Sequence, residues 1–251
     1  MLAVIVLSLL AVGIIVFLKP KQFLSVTTAI PSSMYSADKS TVFNQNLSML
    51  YSVLGTTDDL DAVLGTAHLD TVYLSVTDTF NLYDHYKIKG SLPEMRSAAA
   101  ARLKKNTSVI KDEYGLLKIK VWDTDPQLAA DLANQVMSVL QSIHSSLKNA
   151  GNEAILNGLK NSMSEILPVS ATNDKPVADS GSDKDFAELI NQYQLMIKSK
   201  TPALLIVEKA RPAIYPDRPK RTQVLIATFI LAFLFSLLAA LFAERKKFAG
   251  S

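Results

Sequence analysis

Three histidines are the residues in this chain best suited to hold a metal or move a proton, and they stand at positions 68, 85 and 144. Ligands donated by one element recur a few residues apart. No two of these histidines have that spacing, so His68, His85 and His144 each read as ordinary core or surface side chains. Asp58, Asp59 and Asp61 lie close enough to bind a cation, but acidic residues directly after Thr57 are also what a helix start requires. Lys104, Lys105, Lys118 and Lys120 would meet an anionic polymer, although a helix end and a wet strand face account for them more simply. Trp122, Tyr73, Tyr83 and Tyr86 have the flat faces that stack on sugars, and core packing is again the simpler reading. No G-x-S-x-G, H-E-x-x-H or G-x-x-x-x-G-K-[ST] pattern occurs, and the nine glycines form no phosphate-cradling loop. The absence of cysteine excludes disulfides, thiolate zinc sites and cysteine nucleophiles. A net charge of +3 is too small to argue for nucleic acid. The expectation is therefore a protein with no catalytic residue, no metal and no cofactor.

The elements that carry these residues begin and end in apolar runs. Apolar residues make up 49% of the chain, and mean hydropathy is +0.19. Residues 2–18 contain no charge and only Ser8 as a polar side chain. As a helix they reach roughly 25 Å, just short of a hydrocarbon core, and Lys19 and Lys21 can snorkel across the difference. No basic segment precedes this run and no small-residue cleavage site follows it, so it reads as an anchor rather than a signal peptide. Val224 to Ala243 forms a second uncharged run, entered through Pro219, Lys220 and Arg221 and followed by Glu244, Arg245, Lys246 and Lys247. We expect transmembrane helices over 2–18 and 223–243, one domain over 19–222 between them, and a short tail over 244–251. Both termini then share one side. Basic residues flank the second span at both ends, so counting charges does not fix the orientation.

Between the spans, residues 22–30 (QFLSVTTAI) are rich in β-branched side chains and predict a strand ended by Pro31. Val42, Phe43, Leu47, Leu50 and Val53 have helical spacing, as do Leu69, Val72, Tyr73, Val76 and Phe80. A short helix is expected from Thr57 to about Leu64. Ser91 caps a helix carrying Pro93 in its first turn. Residues 107–112 and 116–122 predict two strands; in the second, Leu117, Ile119 and Val121 alternate with Lys118, Lys120 and Trp122. Asp125-Pro126 starts the longest helix, over about 126–167. Its apolar line runs through Leu128, Leu132, Val136, Val139, Ile143, Leu147, Ala150, Ile155, Leu159, Met163 and Ile166. So long a stripe needs a partner to bury it, and Gly151 and Gly158 are places where the helix could break. Residues 168–185 read as a loop, Phe186 to about Ser199 as a helix, and Ala203 to Glu208 as a strand. Residues 210–221 (ARPAIYPDRPKR) then place Pro212, Pro216 and Pro219 in a stiff connector that ends at Lys220.

Four segments, in order, resemble the polysaccharide co-polymerases, the Wzz-type chain-length determinants of bacterial surface polysaccharides. Pro20 to Phe23 leads out of the first span into a strand. Residues 116–140 are similar to the family's strand, then D-x-D-P, then A-x-x-A-N; here these are Asp123, Asp125, Pro126, Ala130, Ala133 and Asn134. Residues 186–210 resemble the returning helix and last strand, and 210–221 the proline-rich entry to the second span.

The resemblance implies an α+β periplasmic domain with a long projecting helix, anchored by two transmembrane helices, one at each terminus. It also implies both termini in the cytoplasm and a location in the bacterial inner membrane. The implied function is non-enzymatic: regulating the length of an O-antigen, capsule or exopolysaccharide made by a Wzy-type polymerase. Implied partners are membrane lipids, the polysaccharide chain, the polymerase and further copies of this chain in a ring of about eight. Only Glu244 to Ser251 follow the second span, so a member without the tyrosine kinase domain is expected. The proline-rich motif Pro212, Pro216, Pro219 and Lys220 becomes the membrane-entry site. Leu132, Val136, Val139, Ile143 and Leu147 become candidates for the interface between copies. A two-span sensor and an export-complex adaptor with a periplasmic binding domain are the alternatives that share this anatomy.

Overall fold

The computed structural model describes residues 10, 12–32, 57–170, 180–199 and 202–249. The helix expected over 42–54 and most of the first apolar run lie outside these residues. Of that run, residues 12–18 are helical and are termed α1. Then follow β1 (Phe23–Pro31), α2 (Thr57–Ala67), α3 (Asp70–Phe80), α4 (Leu82–His85), α5 (Leu92–Lys105), β2 (Thr107–Lys111) and β3 (Leu117–Asp123). The chain continues through α6 (Pro126–Ser170), α7 (Ser180–Ser199), β4 (Leu204–Glu208) and α8 (Arg221–Ala249). The chain divides into two compact units. One contains Val26–Lys120 and Leu132–Ala210; the other contains Met1–Ser25, Val121–Asp131 and Arg211–Ser251.

The larger unit is an α+β domain. Its strands belong to a four-stranded sheet of order β2-β3-β1-β4. The hairpin between β2 and β3 turns on Asp112, whose Oδ1 accepts from the backbone N–H of Tyr114 (2.9 Å) and Leu116 (2.8 Å). Gly115 takes the positive φ of 75° that the turn requires. β1 lies inside the sheet and pairs antiparallel with β4, Ile30 opposite Leu205 and Pro31 opposite Leu204. The strand thus runs through Pro31 rather than stopping before it. Buried hydroxyls on and just past this interior strand find backbone partners: Thr27 Oγ1 donates to Glu208 O at 2.9 Å, and Ser32 Oγ, one residue after β1, to Pro202 O at 2.6 Å.

Helices α3 and α5 pack together, which buries Val72, Tyr73 and Val76 with Ala99, Ala100 and Leu103. The alanines let the two backbones approach. Asp78 accepts two hydrogen bonds from Arg96, both 2.6 Å, and Lys104 donates to Asp70 at 2.8 Å. Late α3 meets early α5 and early α3 meets late α5, so the two helices run antiparallel. Arg96 beside Asp78 holds that carboxyl below the usual carboxylate range. At the start of α5 the Ser91 N–H and Oγ both donate to Glu94 Oε2 (3.0 and 2.8 Å), confirming the expected cap.

The predicted period-two strand is present, with Leu117, Ile119 and Val121 wholly buried. Helix α6 is 45 residues long, passes through Gly151 and Gly158 without a break, and continues beyond Leu167. α7 starts at Ser180 rather than Phe186, so residues 168–170 and 180–185, expected in a loop, are helical. Residues 171–179 of that expected loop lie outside the described set.

The smaller unit contains α8, which among the described residues is the one helix long and apolar enough to cross a membrane. From Thr222 to Leu238 only Ala232 and Ser236 are buried, four residues apart on one face. Phe229, Ile230, Leu231, Phe233, Leu234 and Phe235 are all exposed. Such a surface fits hydrocarbon better than water.

Candidate functional site

The residues singled out for chemistry do not converge. His68 is exposed, and its carbonyl accepts from Lys104 Nζ at 2.7 Å. His85 lies 5.1 Å from the Tyr86 ring, and His144 is buried on α6. The acidic run divides three ways. Asp58 is exposed in the first turn of α2, Asp59 is buried, and Asp61 pairs with Lys111 at 3.0 Å. Among the described residues no group of acidic or histidine side chains is arranged to hold a metal. Lys104 and Lys118 are held by Asp70 and Asp112, the latter at 2.9 Å. Tyr73 is buried and donates to Ala67 O at 2.9 Å, and burial, reinforced by Asp70, pushes its hydroxyl up to about 12.

The geometry concentrates instead at the connector. In the smaller unit Gln22, four residues past the end of α1, pairs with the connector backbone. Gln22 N donates to Arg218 O (2.9 Å), and Gln22 O accepts from the N–H groups of Asp217 (2.9 Å) and Arg218 (3.2 Å). Ser25 Oγ donates to Arg211 O at 3.0 Å. Trp122 Nε1 donates to Asp217 Oδ2 at 2.8 Å, while the Arg218 guanidinium stacks over the indole, 3.8 Å from the ring centroid. A cation over an indole adds about 0.5–1 kcal/mol at an exposed site. These contacts explain why Trp122 is only 9% exposed although alternation put it on the wet face of β3. The Arg221 guanidinium lies 4.6 Å from the centroid of the Phe17 ring, joining α1 to the start of α8.

Of the four residues expected at a membrane entry, Pro212 and Pro216 lie between the held positions Arg211 and Arg218, and Pro219 and Lys220 follow them. Pro212, Pro216 and Lys220 are exposed, and Pro219 is half-buried after a cis Arg218–Pro219 bond. The turn before α6 belongs to the same unit. Asp123 Oδ1 accepts from the Asp125 N–H at 3.1 Å, and Asp125 Oδ1 accepts from Gln127 N (2.8 Å) and Leu128 N (3.3 Å). The D-x-D-P pattern is thus a helix cap that fixes where α6 begins.

In the larger unit Asn134, one turn into α6's buried stretch, holds the other end of the connector. Its Nδ2 donates to Ala210 O (3.1 Å), and its Oδ1 accepts from Ala210 N (2.9 Å). A side-chain amide here does what a neighbouring strand would do for a backbone residue. Asn134, Trp122, Gln22 and Ser25 had no positioning role in the sequence reading. Trp122 carried the one usable signal, a large aromatic at a position that alternation assigned to water.

The five interface candidates on α6 separate. Leu132 and Val136 are completely buried within the chain, as are Met137 and Leu140. They pack in its own core and present no surface to another copy. Val139 and Ile143 are half-buried, and Leu147 is 55% exposed. Beyond Leu140 the buried positions are His144, Asn152 and Leu156, while Ile155 is 43% exposed. Two polar side chains, His144 and Asn152, thus face in, while Leu147 and Ile155 face out. Neither ring nitrogen of His144 has a hydrogen-bond partner among the described residues, and burial pushes its pKa below the ordinary histidine value.

No protein-family model matches this chain, and no curated protein does. It is similar to the solved structure of a full-length bacterial polysaccharide co-polymerase, at 13% identity and a TM-score of 0.37, over 98% of this chain and 94% of that one. It is also similar to a fragment of WzzB, a polysaccharide co-polymerase from Salmonella Typhimurium, at 11% identity and a TM-score of 0.31, over 79% of this chain and 100% of that one.

Proposed function

We propose that this chain is a non-enzymatic polysaccharide co-polymerase, held in the bacterial inner membrane by two spans, that sets the length of a surface polysaccharide made by a Wzy-type polymerase. The observation that carries the proposal is the construction of α6. The helix starts from a capped Asp123–Asp125–Pro126 turn and runs 45 residues. Its apolar line leaves the chain's own core after Leu140. A helix of that length with exposed Leu147 and Ile155 needs a partner to cover it, and a second copy presents the same unfilled surface. Of the four sequence segments that resemble the family, residues 20–23 hold Gln22, residues 116–140 hold Trp122, Asn134 and the start of α6, residues 186–210 run through α7 and β4, and residues 210–221 are the connector. On this reading the connector transmits the arrangement of the periplasmic domains to the spans. The protein acts by position, with the growing polymer and its polymerase as partners.

The test is the length distribution of the surface polysaccharide on a gel, compared between cells with the gene, without it and with it restored. A changed modal length that complementation reverses is expected. An unchanged ladder rejects the chain-length role and leaves the fold untouched.

A further inference from the structure

The connector has a second feature that its clamps throw into relief. It is held at Arg211 by Ser25, and at Asp217 and Arg218 by Gln22 and Trp122. Between these fixed points Pro212 and Pro216 bracket a short tip whose large residues are bare: Ile214 is 85% exposed and Tyr215 81%. Among the described residues of their unit, the other large exposed apolar side chains are Leu10 and those on α1 and α8. Two prolines and two clamps stiffen the tip, so little freedom remains to be lost when it is covered.

We propose that Ile214 and Tyr215 form a non-spanning membrane contact, seated at the headgroup–acyl boundary of a bilayer beside the entry point of α8. Reach supports this. Tyr215 lies six residues before Arg221, so its Cα is within about 20 Å of the start of α8 along the chain. The Gln22–Arg218 bridge ties Arg218, three residues after Tyr215, to Gln22, whose own Cα is within about 14 Å of the end of α1. Charge supports it as well. Lys19, Lys21, Arg218 and Lys220 are all exposed beside that bridge, and Asp217 is occupied by Trp122, so the surroundings of the tip are basic, as an anionic headgroup layer favours. The chemistry of the pair also fits a lipid boundary: an aliphatic side chain for the acyl edge, and a tyrosine whose ring is apolar and whose hydroxyl stays wet. Two side chains are far too small for a specific protein interface, which needs about 800 Å² from each partner.

The proposal rests on α8 spanning the membrane and not on any role in polysaccharide synthesis. The chain has no cysteine, so single-cysteine variants of the full-length protein carry one environment-sensitive dye each. The variants are Tyr215→Cys, Phe229→Cys within α8, and Tyr114→Cys at the β2–β3 turn, where Tyr114 is 86% exposed. They are reconstituted in phosphatidylcholine–phosphatidylglycerol vesicles and quenched by shallow spin-labelled lipid, deep spin-labelled lipid and aqueous iodide. The dye at 215 is expected to be quenched several-fold more by shallow lipid than by iodide, and the dye at 114 the reverse. Adding Ile214→Asp to the 215 variant is expected to shift its quenching toward iodide. Equal iodide quenching at 215 and 114 overturns the proposal. So does a dye at 215 that is shielded from both lipid and iodide, which means protein covers the tip. Unchanged lipid quenching with Ile214→Asp also overturns it, because the dye alone then seeks the bilayer. Deep quenching at 229 shows that α8 spans; its absence removes the span and this proposal together.

Discussion

Asn134 and Ala210 exchange two hydrogen bonds, and Ala210 is only 7% exposed. Replacing Asn134 with leucine leaves the backbone N–H and C=O of Ala210 without partners in a place water does not easily enter. The expected loss is about 1–3 kcal/mol, read as a lower midpoint in denaturant unfolding of the detergent-solubilised chain. His144 makes a different prediction. Its imidazole is buried, has no hydrogen-bond partner among the described residues, and burial holds its pKa below the ordinary histidine value. Unfolded histidine gains a proton near pH 6.5. A base with a depressed folded pKa leaves stability intact above the unfolded value and withdraws it as pH falls through that value toward the folded one. Stability should therefore decline between about pH 7.5 and about pH 5.5. His144→Leu should remove part of that decline and raise stability at neutral pH, because an apolar side chain needs no hydrogen bond there. Melting curves at the two pH values, for both proteins, check the sign.

At the scale of elements, α6 carries the most information. Its buried positions after Leu140 advance by four residues, with half-buried Lys148 between His144 and Asn152. Each such step turns about 40° around the helix, so the covered face from His144 to Leu156 and the apolar line from Ile143 to Ile155 wind together. Gly151 and Gly158 lie on the uncovered side, and a methyl group added at either meets nothing within 4 Å. Gly151→Ala and Gly158→Ala should each stabilise the helix by roughly 0.5–1 kcal/mol, since alanine has less backbone freedom to lose. Thermal unfolding measures that gain. The same substitutions also probe assembly: a gain in melting temperature accompanied by a loss of oligomer mass would place the two glycines against a neighbouring copy.

For the whole molecule the prediction concerns mass. If copies cover the exposed part of α6, the detergent-solubilised chain has the mass of a closed ring of many subunits, and Leu147→Asp breaks it while leaving each chain folded. Val136→Asp is the contrasting control. Val136 is in the chain's own core, so an unpaired charge there costs several kcal/mol and unfolds the domain instead. Monomeric wild-type protein, or rings that survive Leu147→Asp, would place the contact between copies elsewhere.

Local patterns were enough to find most of the elements. Asp125-Pro126 could start only a helix, because a short carboxylate accepts from the first free N–H groups and proline has none to lose. The alternation at Leu117, Ile119 and Val121 required a strand, and twenty uncharged residues from Val224 required a membrane-length helix. Where those elements meet was beyond local pattern. Leu132 and Val136 read like Leu147 in sequence, yet the first two are core and the last is surface, because burial depends on what distant segments pack against each turn. The connector's partners show the same limit. Gln22, Ser25, Trp122 and Asn134 are joined to residues 210–218 by hydrogen bonds between residues far apart in the chain, Ser25 and Arg211 being 186 positions apart and Gln22 and Arg218 farther still. No periodicity records such pairings; only the folded backbone brings these donors and acceptors within reach.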